Sequence, residues 1–192
     1  MDNLEERAEF WSTHYFARTH GKSMVNPYEL TPGWNKLYTN KKVLEVGPGE
    51  GRQSDILMAF TRDYSVADIA QSVLDQDRYK DCNYRYLITD WEQTLEEEYE
   101  TICFWYLVHH IKITECVMFF EFLKRALTVD GTLHFNYPYA VIGSSDNRIG
   151  DGIKTSKWSS EILHDCLEFL GFKYTEVEDV IRNQIVVVAS IV

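Results

Sequence analysis

The residues best suited to chemistry stand at the ends of apolar runs. Lys42 to Val46 is followed at once by Gly47-Pro48-Gly49-Glu50-Gly51. Glycines in such a run let the chain take positive φ and let a ligand approach the backbone with no Cβ in the way. A helix starting just beyond would offer free N–H groups and a positive dipole end to an anionic group. The run therefore reads as a cradle for a nucleotide-like cofactor. The alternative is a tight strand-to-helix turn without a ligand. Asp68 closes the next apolar run, where a carboxylate can accept both hydroxyls of a ribose; it could instead cap the following helix. Asp90-Trp91 closes a third run. His109 and His110 follow a fourth, and imidazoles there could serve as a general base, or cap a helix, or fill the core.

The elements that would position these residues alternate along the chain. Residues 3 to 20 are predicted as one or two helices, with Leu4, Ala8, Trp11 and Tyr15 on one stripe. Strands are predicted at Lys42–Val46, Tyr64–Ala67, Tyr84–Ile88, Tyr99–Leu107 and Thr132–Asn136, with helices at Gly51–Phe60, Ala70–Tyr79 and Thr114–Leu127 between them. Asp130-Gly131 reads as a turn. After a polar loop from Tyr137 to Ser156, a helix at Ser159–Leu170 ends at Gly171. Lys173–Ile181 and Gln184–Val192 then form an antiparallel hairpin. Strands alternating with helices predict an α/β fold: a doubly wound, mostly parallel seven-stranded sheet, covered on both faces and ending in that hairpin. A ligand would sit at the carboxyl ends of the strands, at the switch point beyond the first. Residues 1–40 are expected to form a helical lid over the site, and 41–192 the binding domain.

Composition limits the partners. In 192 residues, 45% are hydrophobic, which is enough for one core. No apolar run approaches the ~20 residues that span a bilayer, and Met1 to Phe10 is too acidic for a secretory signal. A cytoplasmic protein without a membrane partner is expected. With 19 basic residues against 30 acidic ones, the net charge is −11, which disfavours a nucleic-acid backbone as partner. Cys82, Cys103, Cys116 and Cys166 are scattered, so neither a metal site nor a disulfide framework is expected.

The glycine spacing separates two cofactor classes. A dinucleotide fold wants G-x-G-x-x-G, and its third glycine would fall at Arg52. The spacing here is G-x-G-x-G, with Glu45 two places before the first glycine. That pattern resembles motif I of class I S-adenosylmethionine (SAM)-dependent methyltransferases of the small-molecule type, over the chain from about Lys41 to the end. The resemblance implies a Rossmann-like methyltransferase fold with SAM as cofactor. It implies cofactor contacts from Glu45, Gly47, Gly49, Gly51, Asp68 and Ile69. At Asp90 it implies an acceptor for the adenine amino group, with Trp91 packing on the ring, and at Trp105 a further cofactor contact; a buried structural tryptophan is the competing reading for Trp91. The run Ile102 to Ile111 resembles motif IV of small-molecule members, which makes His109 and His110 the catalytic candidates. Asn136-Tyr137-Pro138-Tyr139 only superficially resembles the N/D-P-P-Y/F segment of base-directed members. It is expected to open a substrate loop, with Tyr15, Tyr106, Tyr137 and Tyr139 as substrate contacts. The polar letters of 137–158 suit a small polar metabolite, methylated on oxygen or nitrogen, or equally a solvated surface loop. A catalytically silent SAM- or partner-binding domain and an NAD(P)-dependent oxidoreductase are the alternatives. No feature sets an oligomeric state.

Overall fold

Strand β1 (Lys42–Val46) is buried from Val43 onward, as a strand covered on both faces must be. It pairs in parallel with β2 (Asp63–Asp68) on one side and with β4 (Tyr99–Phe104) on the other. The chain is described by a computed structural model at residues 4–13, 33–51, 53–138, 148–149, 153–154, 159–179 and 184–192. Beyond β2 lies β3 (Arg85–Leu87), and beyond β4 lies β5 (Leu127–Pro138). The last strand, β9 (Gln184–Ile191), inserts antiparallel beside β5 and carries β8 (Phe172–Asp179) on the outer edge. The order is β3-β2-β1-β4-β5-β9-β8. The predicted seven-stranded sheet with its antiparallel hairpin is therefore present, and the switch point lies between β1 and β4. A two-stranded ribbon of β6 (Arg148–Ile149) and β7 (Ile153–Lys154) was not anticipated.

Side chains alternate across the sheet, giving two cores. On one face Leu44, Ile102, Phe104, Leu133, Phe135 and Tyr137 meet helices α5 (Cys116–Arg125) and α6 (Ser160–Phe169). Phe104 and Phe135 stack there with ring centroids 4.6 Å apart. On the other face Val43, Cys103, Trp105 and Val186 meet Tyr38 of α2 (Asn35–Tyr38) and Leu57 of α3 (Ser54–Phe60). The short helix α4 (Gln71–Leu74) follows β2, and the N-terminal helix α1 (Leu4–Thr13) packs against it. Among the described residues no helix is long and apolar enough to cross a membrane.

Three predicted boundaries shift for identifiable reasons. The helix foreseen at Ala70–Tyr79 breaks after Leu74 and resumes as a 3-10 turn at Asp77–Tyr79. Strand β4 stops at Phe104, because Tyr106 turns into the left-handed region at φ 54°. Asp130-Gly131 is not a free turn but an irregularity inside β5: Tyr99 faces Leu127, yet Thr101 already faces Thr132. Gly131 suits that crowded step, since a Cβ would lie 2.9 Å from the Thr128 carbonyl oxygen and 3.0 Å from that of Tyr99.

Candidate active site

The glycine run leaves β1 with left-handed backbone at Gly47, Gly49 and Gly51 (φ 66°, 53° and 71°). Gly51 has no room for a side chain: a Cβ would lie 2.3 Å from Arg78 Nη1 and 2.8 Å from the Tyr79 hydroxyl. Those two residues, with Gln76, clamp the loop. Gly49 O accepts from Gln76 Nε2 at 3.1 Å and from the Tyr79 hydroxyl at 3.2 Å, while Gly51 O accepts from Arg78 Nη1 at 3.0 Å. None of the three was singled out from the sequence. A 3-10 turn after a short helix carries no letter signature, and the partners are 27 to 30 positions apart.

Glu45 lies under this loop. Its Oε2 accepts from Ser54 Oγ at 2.7 Å and from the Tyr64 hydroxyl, and the residue is 2% exposed. Burial pushes its carboxyl above the ordinary carboxylate range. The carboxylate thus ties β1 to β2 and to the first residue of α3, holding the loop from beneath.

Asp68 ends β2 beside the loop. It is 8% exposed, and its Oδ1 accepts the Ala70 N–H at 2.8 Å. Burial lifts its carboxyl to about 7, the backbone N–H groups of Ala70 and Ile69 only partly offsetting the loss of water. Ile69 itself is partly buried against the first core. Asp90, three residues beyond β3, is exposed and accepts the N–H groups of Glu92 and Gln93, both at 2.8 Å, so it caps a turn.

Three of the expected aromatic contacts, Trp91, Trp105 and Tyr137, are buried side chains. Trp91 packs on Phe119 and Phe122 at centroid distances of 5.2 and 5.9 Å, and its indole N–H donates to Glu115. Trp105 is buried in the second core, edge-on to His134 at 4.8 Å. Tyr137 is fully buried on the α6 face, its hydroxyl 3.0 Å from Glu176 Oε1 and 3.1 Å from Ser160 Oγ. Its neighbour Asn136 points to the opposite face, that of Trp105. Tyr106, by contrast, stands partly exposed just beyond β4. Tyr15 and Tyr139 lie outside the described residues.

His109 and His110 share a 3-10 turn, with ring centroids 3.9 Å apart, and Trp11 of α1 meets His110 edge-on at 4.8 Å. Burial pushes His109 down to about 4 and His110 well below the usual imidazole value, and His109 also depresses His110. Among the described residues His109 Nδ1 is buried without a hydrogen-bond partner. Both rings are therefore neutral at pH 7, a desolvated pair just beyond β4. Helix α1 is held across this end of the sheet by Arg7, 7% exposed, which donates to Glu115 Oε2 at 2.6 Å. Among the described residues no cluster of His, Cys, Asp and Glu could hold a metal ion.

No protein-family model and no curated protein matches this sequence. Solved structures do resemble it. Magnesium protoporphyrin IX methyltransferase (ChlM) from Synechocystis, with bound SAH, is 15% identical, with a TM-score of 0.70 and all of both chains covered. DhpI in complex with SAH is 16% identical, with a TM-score of 0.69 over 97% of this chain and 92% of that one. A SAM-dependent methyltransferase from Aquifex aeolicus is 15% identical, with a TM-score of 0.65 over 98% of each chain. The strand order, the glycine turn at the switch point and these likenesses together show that the chain has the Rossmann-like fold of these methyltransferases.

Proposed function

We propose that the protein is a SAM-dependent methyltransferase acting on an oxygen or nitrogen of a small polar molecule. The observation that carries this reading is Asp68, a carboxylate 8% exposed at the end of β2, beside a loop whose three glycines are all left-handed. Burying a carboxylate with little compensation is costly, and a ribose bearing two hydroxyl donors offsets that cost. In this reading Gly47 to Gly51 follow the methionine half of the cofactor and Asp90 meets the adenine edge. Helix α1 covers the bound nucleoside from the side of α4.

The sulfonium supplies an activated methyl group with a good leaving group, so the protein's part is chiefly orientation and exclusion of water. Tyr106 flanks the acceptor beyond β4. His109 and His110, both neutral, suit orienting an acceptor by hydrogen bonding. The net charge of −11 supports a small molecule over a nucleic acid. Incubation of a metabolite extract with methyl-labelled SAM tests the proposal: a labelled small-molecule product is expected. SAM binding without any product would reduce the protein to a binding domain.

A further inference from the structure

Among the described residues only Asn40 and Tyr106 have positive φ without being glycine. Asparagine tolerates that region, whereas a bulky aromatic residue enters it only when the surroundings hold it there. Tyr106 is held by a side chain from the neighbouring strand. Its N–H donates to Asn136 Oδ1 at 2.7 Å. Asn136 is 2% exposed in β5, and its Nδ2 donates to Gln184 Oε1 at 2.9 Å, so β9 fixes its amide. The next residue, Leu107, accepts the His110 N–H at 2.8 Å and leans on the glycine loop: a Cβ at Gly47 would lie 3.1 Å from Leu107 Cδ1. Contacts therefore run without a gap from β9 through Asn136, Tyr106 and Leu107 to the first glycine of the loop.

We propose that Asn136 is a positioning residue: by holding Tyr106 in the left-handed conformation it keeps Leu107 against Gly47 and so fixes the wall shared by cofactor and acceptor. The proposal rests on the SAM reading above for its ligand, but not for its geometry. The alternative is an ordinary buried amide that stabilises the fold and nothing more.

A double-mutant cycle separates the two, because Tyr106→Gly needs no help to occupy φ 54°. SAM affinity is read by isothermal titration. Asn136→Leu in the wild-type background is expected to weaken it about tenfold, on the scale of one lost hydrogen bond plus backbone relaxation. In the Tyr106→Gly background the same substitution is expected to change it less than about threefold. Asn136→Asp keeps the acceptor oxygen while the Gln184 amide can turn its N–H groups inward, so its affinity should stay within about threefold of wild type. Equal losses in both backgrounds, unchanged affinity in folded Asn136→Leu, or a tenfold loss in Asn136→Asp would each overturn the proposal. Should Asn136→Leu not fold, Asn136→Ala is carried through the same cycle with the same expected and overturning results. If the wild-type protein binds no SAM, the functional reading fails, and the positioning claim is decided by melting temperature. There, the loss caused by Asn136→Leu should fall by at least half in the Tyr106→Gly background, and an undiminished loss overturns it.

Discussion

Replacing Asp68 by asparagine should stabilise the free protein while weakening its cofactor binding. The carboxyl is raised from 3.8 to about 7 by burial. At 1.36 kcal/mol per pH unit this corresponds to at most about 4 kcal/mol of differential interaction. The sign follows from proton linkage: the folded state holds this proton more tightly than the unfolded chain. Its contribution to stability is therefore full below pH 3.8 and is lost as pH rises to about 7. Asparagine keeps an oxygen for the Ala70 N–H and carries no charge. Ligand-free Asp68→Asn should thus match wild type near pH 4 and exceed it above pH 7. About 1 kcal/mol shifts the melting temperature of a chain this size by about 2–4 °C, so a gain of several degrees at pH 8 is expected. SAM affinity at pH 8 should fall about 10- to 100-fold, since hydrogen bonds to a charged group contribute about 1.5–3 kcal/mol. Thermal melts at pH 4, 6 and 8 and titration calorimetry at pH 8 measure both effects. A variant less stable than wild type at pH 8 would show that Asp68 serves the fold through its charge. Unchanged SAM affinity would remove it from the site.

Gly51→Ala drives a Cβ into Arg78 and Tyr79 at a left-handed position; SAM affinity should fall at least about tenfold with a loss of about 1–3 kcal/mol in denaturant-measured stability. Trp91→Phe should lower stability by about 1–2 kcal/mol through lost packing and a lost bond to Glu115, yet leave SAM affinity within about twofold. Tyr137→Phe should cost about 1 kcal/mol and spare turnover, since its hydroxyl serves Glu176 and Ser160 on the α6 face. Arg7→Ala breaks a largely buried ion pair with Glu115; limited proteolysis should then cut within residues 4–13 faster than in wild type, and SAM should dissociate faster in stopped flow.

How much of this was legible in the letters follows from how local each signal is. The glycine run and Asp68 could be read because strand, turn and strand end are contiguous and each residue type answers a local demand of backbone or charge. The facing of single residues could not. Asn136 and Tyr137 differ by one position in β5, and pairing with β9 decides which reaches the Trp105 face and which the α6 face. Position left Trp91 open between a ring stacker and a buried structural tryptophan, and only the placement of α5 shows the indole packed on Phe119 and Phe122. The clamp of Gln76, Arg78 and Tyr79 on the glycine carbonyls, and the tie from Arg7 to Glu115 across 108 positions, exist only after the chain has folded. The histidine pair was legible as a location after β4, whereas its basicity depends on burial beneath α1, which no spacing announces.

Direct titration of the wild-type protein with SAM, and in parallel with NAD, tests the central claim most closely. The account predicts saturable one-to-one SAM binding, no comparable NAD binding, and a SAM affinity that strengthens as pH rises through about 7 while Asp68 ionises. Absent SAM binding, or tighter binding of NAD, would contradict it.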